Sequence, residues 1–421
     1  MIKIIHPVTH ADDPDKDKTS FEPQCQCCPV GRSGHRIIVT EDSLYSLGGF
    51  NPVLSSDDTH SVNARGHPLF KELWRFNLST RKWQLLDDFY SVPPTIASHT
   101  IAKVGRWLFL FGGTAIPFGE TPTSALYRYD LLSSKRLSSP DPCDCDGHAI
   151  RGNEVANVRI SNHWHLIPVT GDIPEERYGH TMTMSFPYVY IVGGTSGYIY
   201  NSEVFRLDLS GPMGKWTKLS SDSDSRQPVG RYRHETAFDG KKLYVFGGGT
   251  ERDAFSLVNI HTFDISTCEW GTLKTFPDPQ HGHPQSRKCH SCCQYKNDVF
   301  LVGGVSGTPQ QTNEMTLFGD IWRFSLTEAT WFKYSTTLSV PLYFHSADFL
   351  PSTGCILIFG GVTSYGGNVV RTKRILSVRV AVGNLLELAW EVVCDVIKDR
   401  WNEIDMNELG IPLSLQAKVF L

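Results

Sequence analysis

The sequence predicts an all-β fold, a six-bladed β-propeller followed by a short helical tail, and three observations predict it. A histidine precedes a Gly-Gly pair six times in the 421 residues, at an interval of 13 residues in five copies and 15 in the last. Successive Gly-Gly pairs lie 54 to 81 residues apart, as in repeat architectures. Short β-rich segments and turn residues surround each pair, which is the pattern of a four-stranded blade. The repeated histidines are His35, His99, His180, His234, His290 and His345.

The third copy shows the order of elements most clearly. Segments 181–186 and 188–192, separated by a turn at Pro187, predict the first two strands and lead into Gly193-Gly194. Segment 204–209 predicts the third strand. The glycine pair lets the backbone bend and neighbouring blades approach closely. Aromatic residues of the third and fourth strands are expected to fill the space between blades: Trp74, Phe205, Phe263, Trp322, Trp83, Trp216, Trp270 and Trp331.

The second and sixth copies are the least regular. An insertion rich in Ser, Pro, Asp, Cys and Gly interrupts the second copy at 138–161, and Trp164 resumes the pattern. The sixth copy has no outer-strand tryptophan, so the ring needs another closing strand. The apolar segment 1–5 is suited to this role, and a ring without a proper closing strand is equally compatible with the sequence. We expect a partly disordered segment 1–30, a propeller at 31–382 and a helical tail at 383–421.

Composition excludes several classes of function. The net charge is −4 with mixed signs, so bulk attraction to nucleic acid or to a membrane surface is not expected. The chain has no apolar run of 18 residues and no signal peptide at its start. Eleven cysteines without regular spacing favour a reducing compartment, the cytoplasm or the nucleus. Their clusters lack the two-armed spacing of a zinc site, so neither a metal nor a cofactor is expected.

These repeats resemble the kelch family of β-propellers from residue 31 to about 382. Four copies share a further feature, an arginine three residues before the histidine: Arg32, Arg177, Arg231 and Arg287. The resemblance implies that each copy is one blade. The connections that carry the Arg-x-x-His motif and the loops between second and third strands then meet at one mouth of the ring.

The period of the sequence changes after Val382. Asn384 is a good helix N-cap, and Leu385, Ala389 and Val393 follow at i, i+4 and i+8, so they share a helix face. From the pattern alone, this helix can equally well pack under the propeller. The segment resembles a BC box, the helix with which substrate receptors bind elongin B–elongin C. That resemblance implies that Leu385 inserts into elongin C, followed by Ala389 and Val393.

A second short motif follows the helix. Residues 411–415 resemble a cullin-2 box, in which Ile411, Pro412 and Leu415 would form the contact. A kelch propeller followed by these two boxes resembles the substrate receptors of cullin-2 RING ubiquitin ligases. The resemblance implies elongin B, elongin C and cullin-2 with its RING subunit as partners. It also implies substrates held by their C-terminal tails, which often end in Gly or Ala.

Capture of a chain end requires fixed cations, because a free carboxylate is best bound by the planar fork of arginine. Arginines of three consecutive blades can converge at the mouth, with tyrosines as walls and hydroxyl groups as extra donors. The candidate residues for the substrate C terminus are Arg177, Arg231, Arg233, Arg287, Tyr178, Tyr198, Tyr200, Tyr232, Thr250 and Ser256. The alternative for the arginines is structural, an inter-blade bond to a carboxylate or carbonyl, which is the role expected for Arg32.

Two other classes of function remain open. The chain can be a kelch scaffold that binds and regulates a signalling protein without recruiting a ligase. It can also be an enzyme, since some propellers are catalytic. The six histidines recur at one structural position, which favours architecture over catalysis, and no Ser–His–Asp order, P-loop or zinc helix is present. No catalytic residue is therefore assigned.

Overall fold

Six β-sheets follow one another along the chain and close into a ring. The computed structural model describes residues 2–5, 28–53, 68–88, 91–132, 163–221, 223–307, 315–365, 367–398 and 400–420. Each sheet contains four antiparallel strands in sequence order, except that the third has an added strand and the sixth borrows one. The innermost strands of successive blades contact one another around the whole ring. The predicted all-β, six-bladed propeller with a short helical tail is confirmed.

The strands of the first three blades have these bounds. Blade 1 contains β2 (Arg36–Val39), β3 (Ser43–Leu47), β4 (Leu73–Asn77) and β5 (Trp83–Asp87). Blade 2 contains β6 (Thr100–Val104), β7 (Trp107–Phe111), β8 (Leu126–Asp130) and β9 (Trp164–Leu166). Blade 3 contains β11 (Thr181–Ser185), β12 (Tyr188–Thr195), β13 (Tyr200–Asp208) and β14 (Gly214–Lys218), with β10 (Val169–Gly171) added parallel to β14.

The remaining blades repeat the order. Blade 4 contains β15 (Glu235–Phe238), β16 (Lys242–Phe246), β17 (Asn259–Asp264) and β18 (Glu269–Lys274). Blade 5 contains β19 (Ser291–Tyr295), β20 (Asp298–Val302), β21 (Ile321–Ser325) and β22 (Thr330–Lys333). Blade 6 contains β23 (Ser346–Leu350), β24 (Cys355–Phe359) and β27 (Ile375–Arg379), and a hairpin of β25 (Val362–Tyr365) and β26 (Asn368–Arg371) extends from it.

The N-terminal strand closes the ring. β1 (Ile2–Ile5) pairs antiparallel with β27, with Ile2 opposite Val378 and Ile5 opposite Ile375. It therefore supplies the fourth, outer strand of blade 6, and Ile2 and Ile4 pack against the core between blades 5 and 6. Blade 2 has a different irregularity, since its fourth strand β9 follows the insertion, which lies outside the described residues.

Close packing between blades explains the glycine pairs and the histidines. In blade 1, Gly48 and Gly49 have φ of 68° and 102°, and a β-carbon on Gly48 would lie 2.3 Å from the carbonyl oxygen of Ile96 at the start of blade 2. His35 packs beside this pair, and its Nε2 lies 3.0 Å from the carbonyl oxygen of Phe359 in blade 6. Burial lowers the pKa of His99 to about 3, so that side chain is neutral at physiological pH. The histidines are therefore inter-blade packing residues.

The tail is a short helical segment that packs against the propeller. It contains α1 (Leu385–Ile397), a 3₁₀ turn (Arg400–Glu403) and α2 (Leu413–Phe420). Asn384 caps α1 as predicted, since its side chain accepts from the N–H of Leu386. The tail core contains Trp390, Cys394, Ile397, Trp401, Met406 and Leu415. None of the described helices is both long and apolar enough to cross a bilayer.

The tail docks on the end of the propeller that carries the turns β2–β3 and β4–β5. Trp390 Nε1 donates to Ser79 Oγ at 3.0 Å, and Asn77 Nδ2 donates to the carbonyl oxygen of Lys418 at 2.9 Å. An ion pair between Lys3 and Asp395 at 2.6 Å ties α1 to the closing strand. Because antiparallel strands reverse direction, the Arg-x-x-His connections lie at the other end. The tail and the mouth therefore occupy opposite faces of the ring.

Candidate ligand-binding mouth of the propeller

The mouth forms where the six connections into the innermost strands meet at the axis. In every blade the residue before the repeated histidine has a φ between 54° and 68°: Gly34, Ser98, Gly179, Arg233, Cys289 and Phe344. This left-handed region costs a non-glycine residue on the order of 1–3 kcal/mol, so the packing of the ring must hold it in place. We call these six residues the axial ring.

The axial ring is a closed circle of backbone hydrogen bonds. Each residue donates its N–H to the carbonyl oxygen of its counterpart in the preceding blade, at 2.7 to 3.2 Å, with Gly34 completing the circle to Phe344. Every backbone donor and acceptor of the ring is thereby used. An anion at the mouth must consequently be bound by side chains, and Arg233 is the one cationic side chain in the ring.

A cavity of about 270 Å³ opens above the axial ring. This volume is near the lower limit of typical ligand pockets, which is about 300 Å³, and suits a short segment. Its walls are mostly aromatic and come from blades 1, 2, 3, 4 and 6: Phe50, Phe118, Tyr178, Tyr232, Tyr343 and Phe344. Two cations, Arg233 and Arg371, reach into the same cavity. The mouth therefore combines apolar walls with positive charge.

Arg233 and Arg371 are held by hydroxyl groups and rings instead of by carboxylates. Arg233 Nη2 donates to Ser98 Oγ, and its guanidinium carbon lies 4.6 Å from the centroid of the Phe344 ring. Arg371 Nε donates to Ser33 Oγ at 3.1 Å. Burial lowers the pKa of both arginines. Within the described part of the chain neither forms an ion pair, and Arg233 Nε has no hydrogen-bond partner. Both can therefore bind an anionic ligand.

Arg177 and Arg287 have the structural role instead of the predicted one in the pocket. Both are fully buried, and each donates to the first carbonyl of its own Gly-Gly pair. Arg177 pairs with Glu203 at 3.0 Å and Arg287 with Asp320 at 2.6 Å. Arg32 makes the same contacts with Gly48 and Glu72, as expected. Saturated by internal acceptors, Arg177 and Arg287 are not available to a substrate, and we correct that expectation.

The other predicted residues divide between the mouth and its surroundings. Tyr178 and Tyr232 line the cavity, and the ring of Tyr200 lies 5.4 Å from that of Tyr232. Tyr198 lies in the connection between β12 and β13 and is 83% exposed. Thr250 bonds to Asp253 within its own loop. These contacts give Tyr200 a supporting role and leave Thr250 outside the cavity.

Arg231 and Ser256 lie together, but in a different place. Both line a second cavity of about 480 Å³ in blade 4, outside the mouth. Burial lowers the pKa of Arg231 to about 10. The predicted set of arginines therefore does not converge, and only Arg233 of the four reaches the mouth.

Several mouth residues were absent from the sequence-based prediction. Ser98 and Phe344 occupy the position before the repeated histidine, so aligning that position across the six copies finds them. Arg371 has no such signal, because it lies on the β25–β26 hairpin, outside the repeat. Only the fold brings it to the mouth.

The Arg287–Asp320 pair supports a prediction on stability. Asp320→Asn is expected to lower the free energy of unfolding by about 3 kcal/mol, because it leaves a fully buried guanidinium without its counter-charge. Chemical denaturation monitored by tryptophan fluorescence measures this loss. Asp298→Asn is the matched control, since Asp298 and Arg323 form an ion pair whose side chains are 35% and 33% exposed, and such pairs are worth about 0–1 kcal/mol. Equal losses in the two variants would contradict the structural role of the buried pair.

The same pair has a defined pH dependence. Burial tends to raise the pKa of Asp320, but hydrogen bonding and charge from Arg287 outweigh burial and lower it. A carboxyl whose folded pKa is lowered contributes its stability above its unfolded pKa of about 3.9 and loses it as the pH falls through the folded value. The wild type should therefore lose more stability below about pH 4 than Asp320→Asn does.

On the face of the ring opposite the mouth, helix α1 exposes a row of apolar side chains to solvent. We call Leu385, Ala389, Val392 and Val396 the tail stripe; their spacing of i, i+4, i+7 and i+11 places them on one helix face. Leu385 is 82% exposed, and the other three are also exposed. Val393, predicted to complete the contact, is half-buried and packs against the tail core. The exposed face thus includes Val392 where the sequence pattern indicated Val393.

The second predicted motif is only partly accessible. Leu415 is 5% exposed and belongs to the tail core, and Ile411 packs against it. Pro412 is exposed. The prediction that Leu415 contacts a partner therefore needs correction, because its side chain is already used to hold α2 against α1.

Two kinds of side chain bear on possible chemistry, the metal-binding types and the cysteines. Among the described residues, no group of three or more His, Cys, Asp or Glu side chains is placed to hold a metal ion. The described cysteines are unpaired, and burial raises the pKa of Cys289, beside the mouth, to about 11. A thiol with a raised pKa is a poor nucleophile at neutral pH.

Comparison with known proteins agrees with this architecture. Residues 144–361 match the family described as the KLHDC2/KLHL20/DRC7 Kelch-repeats domain. The chain is 36% identical to Kelch domain-containing protein 10 of Rattus norvegicus over 366 residues, 86% of this chain and 79% of the relative. It is 30% identical to the Kelch domain-containing protein 10 homolog of Drosophila melanogaster over 406 residues, 91% of this chain and 61% of the relative.

A more distant relative also matches most of this chain. Kelch domain-containing protein 2 of Bos taurus is 25% identical over 386 residues, 89% of this chain and 88% of the relative. Kelch propellers are typically non-catalytic scaffolds for protein interaction, and no enzymatic family is indicated. By its repeats, its six blades and these relatives, the chain belongs to the kelch-repeat family of β-propellers.

Proposed function

We propose that this chain is the substrate-recognition subunit of a cullin-2 RING ubiquitin ligase. The mouth binds the C-terminal tail of a substrate, ending in Gly or Ala, and the tail stripe binds elongin B–elongin C. The observation that carries the proposal is the pair of cations at the mouth, Arg233 and Arg371, which lack carboxylate partners among the described residues. A chain end supplies the missing carboxylate. We assign this complex to the cytoplasm or the nucleus.

The shape of the mouth supports a small terminal residue. The axial ring forms a floor whose backbone groups are all bonded, so a ligand stops there instead of passing through the propeller. Aromatic side chains crowd the cavity above that floor. A terminal Gly or Ala lets the carboxylate approach the arginines, whereas a bulky side chain would meet Tyr232 or Phe344.

The position of the tail supports the adaptor role. The tail stripe is exposed on the face opposite the mouth, so a substrate and an adaptor can bind at the same time. An ion pair of 2.6 Å from Arg379 of β27 to Glu391 holds α1 against the propeller, and one of 2.7 Å from Lys418 to Glu387 joins α2 to α1. Contact with cullin-2 would use the exposed Pro412 and Leu413, since Leu415 is buried.

A peptide comparison tests the binding of the chain end. Peptides ending in Gly-Gly or Ala-Ala are titrated into the protein by fluorescence polarisation, each with a free carboxylate and with a C-terminal amide. The amide should weaken binding by roughly a hundredfold, because it removes the negative charge that Arg233 and Arg371 would both bind. Equal affinities would sink the recognition of chain ends and favour the kelch scaffold that binds an internal segment.

A further inference from the structure

Blade 4 lacks a carboxylate that blades 1, 3 and 5 possess. In those three blades the Nη2 of the motif arginine donates to an acid two residues before the third-strand aromatic: Glu72 before Trp74, Glu203 before Phe205, and Asp320 before Trp322. The aromatic lies opposite the next-to-last residue before the Gly-Gly pair. In blade 4 the next-to-last residue before the Gly-Gly pair is Val245, and it lies opposite His261. His261 therefore occupies the position of the aromatic, and Asn259 occupies the position of the acid.

The rest of the arrangement around Arg231 is retained. Its Nη1 donates to the carbonyl oxygen of Gly247 at 3.1 Å, and its Nε to that of Val229 at 3.3 Å. The guanidinium carbon lies 4.5 Å from the centroid of the Phe255 ring, as the other motif arginines lie over aromatic rings. Arg231 is 4% exposed, and in the described part of the chain its Nη2 has no acceptor. A buried cation therefore lacks only its counter-charge.

A pocket lies where the carboxylate is missing in blade 4. The blade-4 pocket, defined by Arg231, Ser256, Asn259, His261 and Thr272, has a volume of about 480 Å³ and no described carboxylate in its lining. His261 stands where Trp74 and Trp322 donate to the acid in their blades, and its Nδ1 is buried without a partner. An incoming carboxylate would meet the Arg231 fork and these polar groups.

We propose that the blade-4 pocket binds the side-chain carboxylate of an Asp or Glu in a protein that sits on the mouth face. The geometry favours this occupant because the group absent from blade 4 is the Asp or Glu carboxylate that the other blades supply from within. The pocket is lined by the connection into β15, the loop between β16 and β17, and residues of β17 and β18. The connection and the loop lie at the mouth end of blade 4, so a protein on the mouth face can reach the pocket from there. The inference does not depend on recognition of chain ends at the mouth.

The test uses two small probes that differ in where the carboxylate lies. N-acetylglutamic acid α-amide carries only a side-chain carboxylate, and N-acetylglycine carries only a terminal one. Isothermal titration measures both against the full-length wild type, with N-acetylglutamine α-amide as the uncharged counterpart. The side-chain probe should bind and the uncharged counterpart should not, because the pocket recognises the charge.

Asn259→Asp is the decisive variant, since it restores the acid within the chain without removing Arg231. We expect it to raise Tm and to weaken the side-chain probe at least tenfold, while Asn259→Gln, the neutral control, leaves Tm lower than Asn259→Asp. Arg233→Gln should leave this probe unchanged. Absence of binding to the wild type, or equal binding to Asn259→Asp, overturns the proposal.

The same titrations separate this pocket from the mouth. Binding of N-acetylglycine that is lost in Arg233→Gln and kept in Asn259→Asp belongs to the mouth. Failure of N-acetylglycine to bind weakens the proposal for chain ends and leaves the blade-4 pocket supported by the side-chain probe. A side-chain probe that responds to Arg233→Gln instead of Asn259→Asp places its carboxylate at the mouth and overturns the inference.

Discussion

Arg233→Gln is expected to weaken the binding of peptides with a free C terminus by roughly ten- to a hundredfold. The variant removes a half-buried cation that no described carboxylate neutralises, and a charge-assisted hydrogen bond contributes about 1.5–3 kcal/mol. The backbone of residue 233 keeps its place in the axial ring, because its N–H and carbonyl bonds do not involve the side chain. Fluorescence polarisation with the free-carboxylate peptides measures the change.

The matched control for this variant is Arg106→Gln. Arg106 lies in the turn between β6 and β7, on the face away from the mouth, where it pairs with Asp130. The Arg106→Gln variant loses the same positive charge as Arg233→Gln, so any general electrostatic effect on peptide binding appears in both variants. Binding that is unchanged in Arg233→Gln, with Tm preserved, would mean that the mouth does not bind the chain end through this residue.

Leu385→Ala is expected to abolish co-purification with elongin B–elongin C. Leu385 begins the tail stripe and is almost fully exposed, so its truncation removes little from the propeller core. Buried anchors at protein interfaces contribute about 2 kcal/mol or more, which is roughly a thirtyfold loss of affinity. Ala389→Phe should have the same effect by a different route, because a bulky side chain blocks close approach of the partner helix.

Leu409→Ala provides the control with the same chemical change. Leu409 is also in the tail and is 61% exposed, but it lies outside the tail stripe. Adaptor binding should survive in this variant, and thermal unfolding of all three variants should match the wild type. Loss of the adaptor in Leu409→Ala as well, or its retention in Leu385→Ala, would remove the tail stripe as the docking surface and leave a kelch scaffold.

The repeat made the fold predictable, because each copy encodes the same local structure and the same contacts with the next copy. Gly48-Gly49 illustrates this, since the positive φ values and the approach of Ile96 demand glycine wherever the motif recurs. The closing role of segment 1–5 was one of two alternatives, because a short apolar strand does not reveal its partner. The pairing of β1 with β27 is a long-range contact that appears only in the closed ring.

The candidate site was less predictable, for a reason visible in Arg177 and Arg287. A conspicuous arginine in a repeat motif indicates charge, but its availability depends on whether another strand supplies a carboxylate. Glu203 does so from the third strand of blade 3 and Asp320 from the residue before the third strand of blade 5, 26 and 33 residues further along the chain. Arg231 has the same motif without the acid, and Arg233 occupies a position of the motif that differs in residue type from copy to copy.

By itself the sequence determined the all-β class, the six blades, the order of strands within each blade and the start of the tail helix at Asn384. These depend on local pattern and on contacts that every repeat shares. Tertiary structure decided which cations stay unpaired, how the ring closes and which face of α1 meets solvent. Each of these outcomes depends on a contact between residues that are distant in sequence. A repeating pattern describes what the copies share, so it does not show which copy lacks such a contact.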